Sequence, residues 1–164
     1  MQMKIGAAAR IGVFLLLVMA ARTFAAAADS DYSTVGKWIL NPTKSQFQNM
    51  PAPGLKRLHI LMNDGKNFTW RTSGYGPDGR TFHEEYDGPI DGAYHPLTGT
   101  ETSGSIAYTR TNSVLHWTIK DQSGAIVEMG SESLSPDGDT LILKGTRKTT
   151  EGDATFTAGY DRVK

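Results

Sequence analysis

"VGKWILNPTKSQF" (residues 35–47) and "TFTAGYDR" (residues 155–162) are the stretches whose reading decides the fold. Successive side chains of a strand point to opposite faces, so the first segment sets Trp38 and Leu40 on one side. The second does the same for Phe156, Ala158 and Tyr160, and the period carries on to Arg162. An arginine that continues an inward aromatic row needs a group to accept its charge. Trp38 is the expected one, since a guanidinium within about 6 Å of an indole gains about 0.5–2 kcal/mol. The two segments are therefore expected to pair, bringing Arg162 onto Trp38 and shutting the sheet into a cylinder.

Between these ends the chain alternates and turns. "LKRLHILMNDGKNFTWRTSG" sets Leu58, Ile60 and Met62 against Arg57 and His59, turns at Asn63-Asp64-Gly65-Lys66, and resumes with Phe68 and Trp70. Asp-Gly suits a tight hairpin because glycine takes the positive φ that other residues resist. The same grammar recurs in "TFHEEYD", "VLHWTIKD", "AIVEMGSESL", "TLILKGTRK" and "ATFTAGYDR". Asn41 and Pro42 suit the cap and first position of one short helical turn. Apart from that turn the pattern predicts an all-β protein, an antiparallel up-and-down β-barrel of about 8–10 strands. The prolines of "NMPAPG" (49–54) mark a break, and the irregular stretch 88–104 is the expected lid or mouth, with a strand expected near Ala93 to Leu97.

A run of hairpins has two exposed sheet edges, and closing the first strand on the last removes both. Gly36-x-Trp38 on a first strand, with an arginine near the C-terminus, resembles the calycin superfamily of lipocalins and fatty-acid-binding proteins. The order "GKWILNPTKSQF", "DGAYHPLTG", "SPDGDTLIL" and "GYDR" is also similar to a family of small exported bacterial proteins of unassigned function. The resemblance runs from Gly36 to Arg162. It implies a barrel capped at its base by Gly36, Trp38 and Arg162, with binding of a small apolar ligand as the usual activity and no catalytic residue. The chain departs from lipocalins in lacking their disulfides and a C-terminal helix.

Residues 1–27 read as a Sec-type signal peptide. Lys4 and Arg10 precede the apolar run Ile11 to Ala21, Arg22 closes it, and small residues follow up to cleavage near Ala27. Residues 28–164 are then a single periplasmic or secreted domain, without a cysteine for a lipid anchor. Losing Lys4, Arg10 and Arg22 from 17 basic residues, against 17 acidic ones, leaves a balance near −3. Nothing in that balance favours nucleic acid or an anionic membrane as a partner. The absence of cysteine also removes thiol catalysis and Cys-ligated zinc.

The candidate ligand-binding row is Phe68, Trp70, Phe82, Glu84, Tyr86, Tyr108, Trp117 and Tyr160, with Phe156 beside it. Two readings stand together. The row lines a cavity for a small lipophilic molecule, or it fills a solid barrel that acts through its surface as an envelope, stress or inhibitor module. Glu84, between Phe82 and Tyr86, is either a polar anchor for a ligand amine or hydroxyl or a rim residue. His83-Glu84-Glu85 is not H-E-x-x-H, and His59, His83, His95 and His116 are read as solvated, so no metal site is expected. "GYGPDGR" lacks the lysine and hydroxyl of a phosphate loop, and no G-x-S-x-G elbow occurs, so neither cofactor nor catalytic residue is assigned.

Overall fold

Turn residues chop the chain into hairpins, and alternation turns each hairpin's apolar side inward. The structure, a computed structural model, describes residues 33–100 and 103–164. The expected signal peptide lies outside the described residues. The strands are β1 (Gly36–Leu40), β2 (Gln46–Gln48), β3 (Leu55–Asn63), β4 (Asn67–Tyr75), β5 (Thr81–Pro89) and β6 (Tyr94–Gly99). They continue with β7 (Gly104–Thr111), β8 (Val114–Asp121), β9 (Ile126–Leu134), β10 (Thr140–Thr149) and β11 (Gly152–Arg162). From β3 to β11 each strand is antiparallel to the next, β1 pairs with β3, and both β1 and β2 pair with β11. The halves β1 and β2 make one stave, broken by a 3-10 turn at Pro42–Lys44 in which the Thr43 amide donates to the Asn41 side chain. The result is a closed ten-stave barrel.

Closure is set by register. Trp38 pairs with Arg162, Ile39 with Asp161 and Leu40 with Tyr160. The Arg162 guanidinium lies 4.2 Å from the centre of the Trp38 ring. Its three nitrogens donate to backbone carbonyls of Ser33 (2.8 Å), Val35 (3.0 Å) and Gly138 (3.2 Å). The Trp38 indole N–H donates to the Thr34 carbonyl at 2.8 Å, leaving that residue only 1 % exposed. Gly36 sits at φ +142°, where a side chain is strained, and an added Cβ would come within 3.0 Å of the Arg162 Nη1. The glycine two residues before the tryptophan therefore makes room for the arginine. Asn63, which bridges Thr34 and Arg110, completes this capped end.

Among the described residues two β-bulges, at Leu61 and Val127, depart from simple alternation. Leu61 is the extra residue between the Ile60–Trp70 and Met62–Thr69 pairs. It turns Met62 out to 37 % exposure, so Met62 does not join Leu58 and Ile60 in the core. The stretch 88–104 is mostly ladder, because Tyr94–Gly99 forms β6 and puts His95 on a strand rather than in a loop. Its connection at 90–93 folds over the capped end, where Ile90 and Gly92 donate to the carbonyls of Lys66 and Tyr108. The barrel's opening lies at the opposite end, so this connection is not its lid.

Arg162→Lys keeps the charge and discards the fork that reaches three carbonyls. Urea unfolding should show a loss of about 1–3 kcal/mol. Arg80→Lys, at a side chain 88 % exposed, should stay within about 0.5 kcal/mol. Equal effects at the two positions would mean that the seam does not depend on Arg162.

Candidate functional site

The interior holds two chambers that share the wall residues Lys56, Trp117, Glu128, Leu143, Arg147 and Tyr160. The outer one, about 280 Å³, opens between the 49–54 loop and the turn after β4, where Met50, Pro51, Pro53 and Pro77 form the rim. Leu40, Phe47, Phe82 and Phe156 line its apolar walls. The inner one, about 70 Å³, lies among Phe68, Trp70, Tyr108, Trp117 and Tyr160. The two prolines of "NMPAPG" keep that rim segment out of the sheet and leave the mouth uncovered by a ladder.

Of the residues singled out in the sequence, Phe68, Trp70, Phe82, Glu84, Tyr108, Trp117 and Tyr160 line one or both chambers. Tyr86 does not. Its hydroxyl donates to the Pro89 carbonyl at 2.8 Å, and its ring leans on Tyr108 at 5.0 Å between centres. Burial, with Asp91 and Asp87 nearby, pushes the Tyr86 phenol up to about 12. Phe68 meets Tyr108 edge to face at 5.1 Å, and the Trp70 N–H donates to the Tyr108 hydroxyl at 2.7 Å. These rings fill the barrel between the inner chamber and the cap.

Sequence alternation did not single out four interior residues, Lys56, Glu128, Glu132 and Arg147. Glu128, Gly130 and Glu132 share the inward face of β9, opposite Ile119, Trp117 and Leu115. Gly130 is required by close approach, since an added Cβ would stand 2.4 Å from the Trp117 ring. The indole thus lies on bare backbone between two carboxylates. Glu128 accepts from the Trp117 N–H at 3.1 Å and from the Arg147 Nε at 2.6 Å. The Lys56 stem is half-buried in the wall, and its ammonium sits 5.8 Å from the centre of the Phe82 ring. Burial works to lower the Lys56 pKa, but Tyr160 and the carboxylates of Glu84 and Glu128 outweigh it and the net shift is upward.

Glu132 is different. It is 5 % exposed, and its Oε1 is buried with no hydrogen-bond partner among the described residues. Burial raises its pKa from 4.5 to about 7, with the Arg110 charge pulling the other way. The signal for these carboxylates was hidden by a bulge. Val127 is the extra residue between the Ile119–Glu128 and Lys120–Ile126 pairs. The apolar Val127 and Met129 alternate with the glutamates, so alternation alone argues for the wrong face, and Met129 is in fact 47 % exposed.

No group of three His, Asp or Glu side chains capable of holding a metal occurs among the described residues. His95 pairs with Asp91 at 3.0 Å, away from both chambers.

No protein-family model and no curated protein sequence matches the chain. Solved structures do. The fluorescent protein UnaG aligns over 79 % of this chain and 97 % of its own, at 14 % identity and a TM-score of 0.52. Zebrafish ileal bile acid-binding protein, complexed with cholic acid, covers 79 % of this chain and 98 % of its own at 15 % identity and a TM-score of 0.48. At these identities the likeness concerns the fold. The chain has the closed antiparallel ten-strand architecture of the calycin-like, fatty-acid-binding-protein type.

The buried carboxyl makes stability depend on pH. The folded state holds the Glu132 proton to a higher pH than the unfolded chain does, so the contribution to stability is greatest below 4.5 and falls as pH rises to about 7. The fall should be of order 3 kcal/mol. Urea titrations across this window should show it in the natural protein and not in Glu132→Gln. An unchanged slope in the variant would show that a group other than Glu132 carries the pH dependence.

Proposed function

We propose that this protein is exported and reversibly binds a small, largely apolar molecule inside the barrel, without catalysis. The outer chamber carries the reading. A cavity of about 280 Å³ stands just below the range of about 300–1,000 Å³ typical of ligand sites. Its walls are mainly aliphatic and aromatic, with a few charged groups deeper in, which is the usual division between affinity and orientation. Apolar burial supplies about 25 cal/mol per Å² of ligand surface removed from water. The open space weighs against the alternative of a filled barrel acting only through its surface. Export rests on the leader pattern of residues 1–27, and a lineage among small exported bacterial proteins rests on the resemblance from Gly36 to Arg162.

Native mass spectrometry of the protein from its own cell envelope tests both parts. The expected mass lacks the leader and carries a small adduct. Leu143→Trp, at the wall common to both chambers, should lower adduct occupancy by about tenfold while circular dichroism keeps its β signature. Repeated recovery of bare protein would count against a ligand. Fluorescence adds a local check, because Trp70 and Trp117 line the chambers whereas Trp38 is sealed under Arg162. Trp117→Phe should shrink the response to a lipophilic probe, and Trp38→Phe should leave it intact.

A further inference from the structure

We infer that Glu132 is the counter-ion for a protonated amine, so that the barrel's ligand is a cationic amphiphile with its ammonium in the inner chamber and its apolar body in the outer one. This rests on the ligand-binding reading above and names the class of molecule. The chambers are lined by two cations, Lys56 and Arg147, and three carboxyl groups, Glu84, Glu128 and Glu132. Glu128 is held by Arg147 at 2.6 Å, and Lys56 lies in the field of Glu84. The third carboxyl forms no ion pair among the described residues. Arg110, which stands in the same cross-strand row beyond Leu115, acts on it at longer range while its guanidinium donates to Asn63.

A buried carboxyl oxygen without a partner costs free energy that an incoming donor recovers. A monocation does more than a neutral donor, because it balances the odd charge. The remaining walls suit an ammonium as well. Phe68, Trp70, Tyr108, Trp117 and Tyr160 present aromatic rings around the same space, and ring faces attract alkylammonium groups. Volume divides the ligand in the same way. About 70 Å³ accepts a head group, whereas about 280 Å³ accepts a hydrocarbon or ring system. An acid of the same shape would place its carboxylate against Glu132.

The groups that face Glu132 set its pH response. Its strand carries Glu128, the adjacent β10 brings Arg147, and β7, one strand beyond β8, brings Tyr108 and Arg110. Lys56, Glu84 and Tyr160 complete the lining from the far wall. A bound ammonium favours the ionised carboxyl, so amine binding expels the proton that Glu132 retains up to about 7.

The test uses n-octylamine, n-octanol and octanoate, titrated into the purified protein at about pH 8 and followed by tryptophan fluorescence and calorimetry. The amine should bind about tenfold or more tightly than the alcohol, and Glu132→Gln should bring the two within about twofold. Calorimetry of the natural protein in buffers of different ionisation enthalpy should count about 0.5–1 proton released per amine between about pH 6 and 7, and none for the alcohol. That count decides alone if the variant fails to fold. Equal affinity for amine and alcohol, tighter binding of octanoate, or no proton release would overturn the assignment of Glu132 and leave ligand binding standing. Failure of all three probes, with no adduct in native mass spectrometry, would overturn both.

Discussion

Everything in this molecule hangs on a seam three residue pairs long, where β1 meets the end of β11. A meander of hairpins is a flat, two-edged sheet until that seam forms. Each edge then offers unpaired amides and carbonyls to any passing chain. Arg162 joins the seam to its surroundings. One guanidinium covers Trp38 and gathers carbonyls from the segment before β1 and from the β9–β10 turn. Planarity matters here, because a rigid fork stacks on a ring and still points its N–H groups outward. The seal leaves one end shut and the opening at the other.

Much of this was legible in the residues. Trp38 and Arg162 announce themselves by phase, and Asp64-Gly65 marks its hairpin by a glycine at φ +86°. Phe82, Glu84 and Tyr86 do share the inner face, as do Leu115, Trp117 and Ile119. The hidden features have a common physical cause. Bulges at Leu61 and Val127 advance the chain by one residue without changing its composition, and each reverses the facing of the residues beyond it. Met62 left the core that way, and the carboxylates of β9 entered it. The stretch 88–104 is irregular in composition, and only the strand expected near Ala93 to Leu97 is legible in it, where β6 pairs with β7 across four residue positions.

The interior is therefore less oily than its aromatic content suggests. Glu128 accepts from both Arg147 and the Trp117 N–H, an arrangement in which every member is a partner of another. Such groups cost desolvation and return orientation, since a charged pair tolerates few geometries. Gly130 makes the arrangement possible by letting the indole rest directly on the strand. A methyl group there would lift the ring and pull its N–H from Glu128. Sequence alternation conveys none of this, because it depends on which ring lies over which backbone.

The seam also carries a consequence for how the chain is made. Arg162 and Val35, which it binds, are 127 positions apart. Until residues 155–162 have left the ribosome, no nascent form can acquire its final hydrogen-bonded circuit. Such long-separation pairing is slow to nucleate. A polypeptide that stays open while it is being synthesised leaves its strand edges unpaired for that period, when they are exposed to association with other chains.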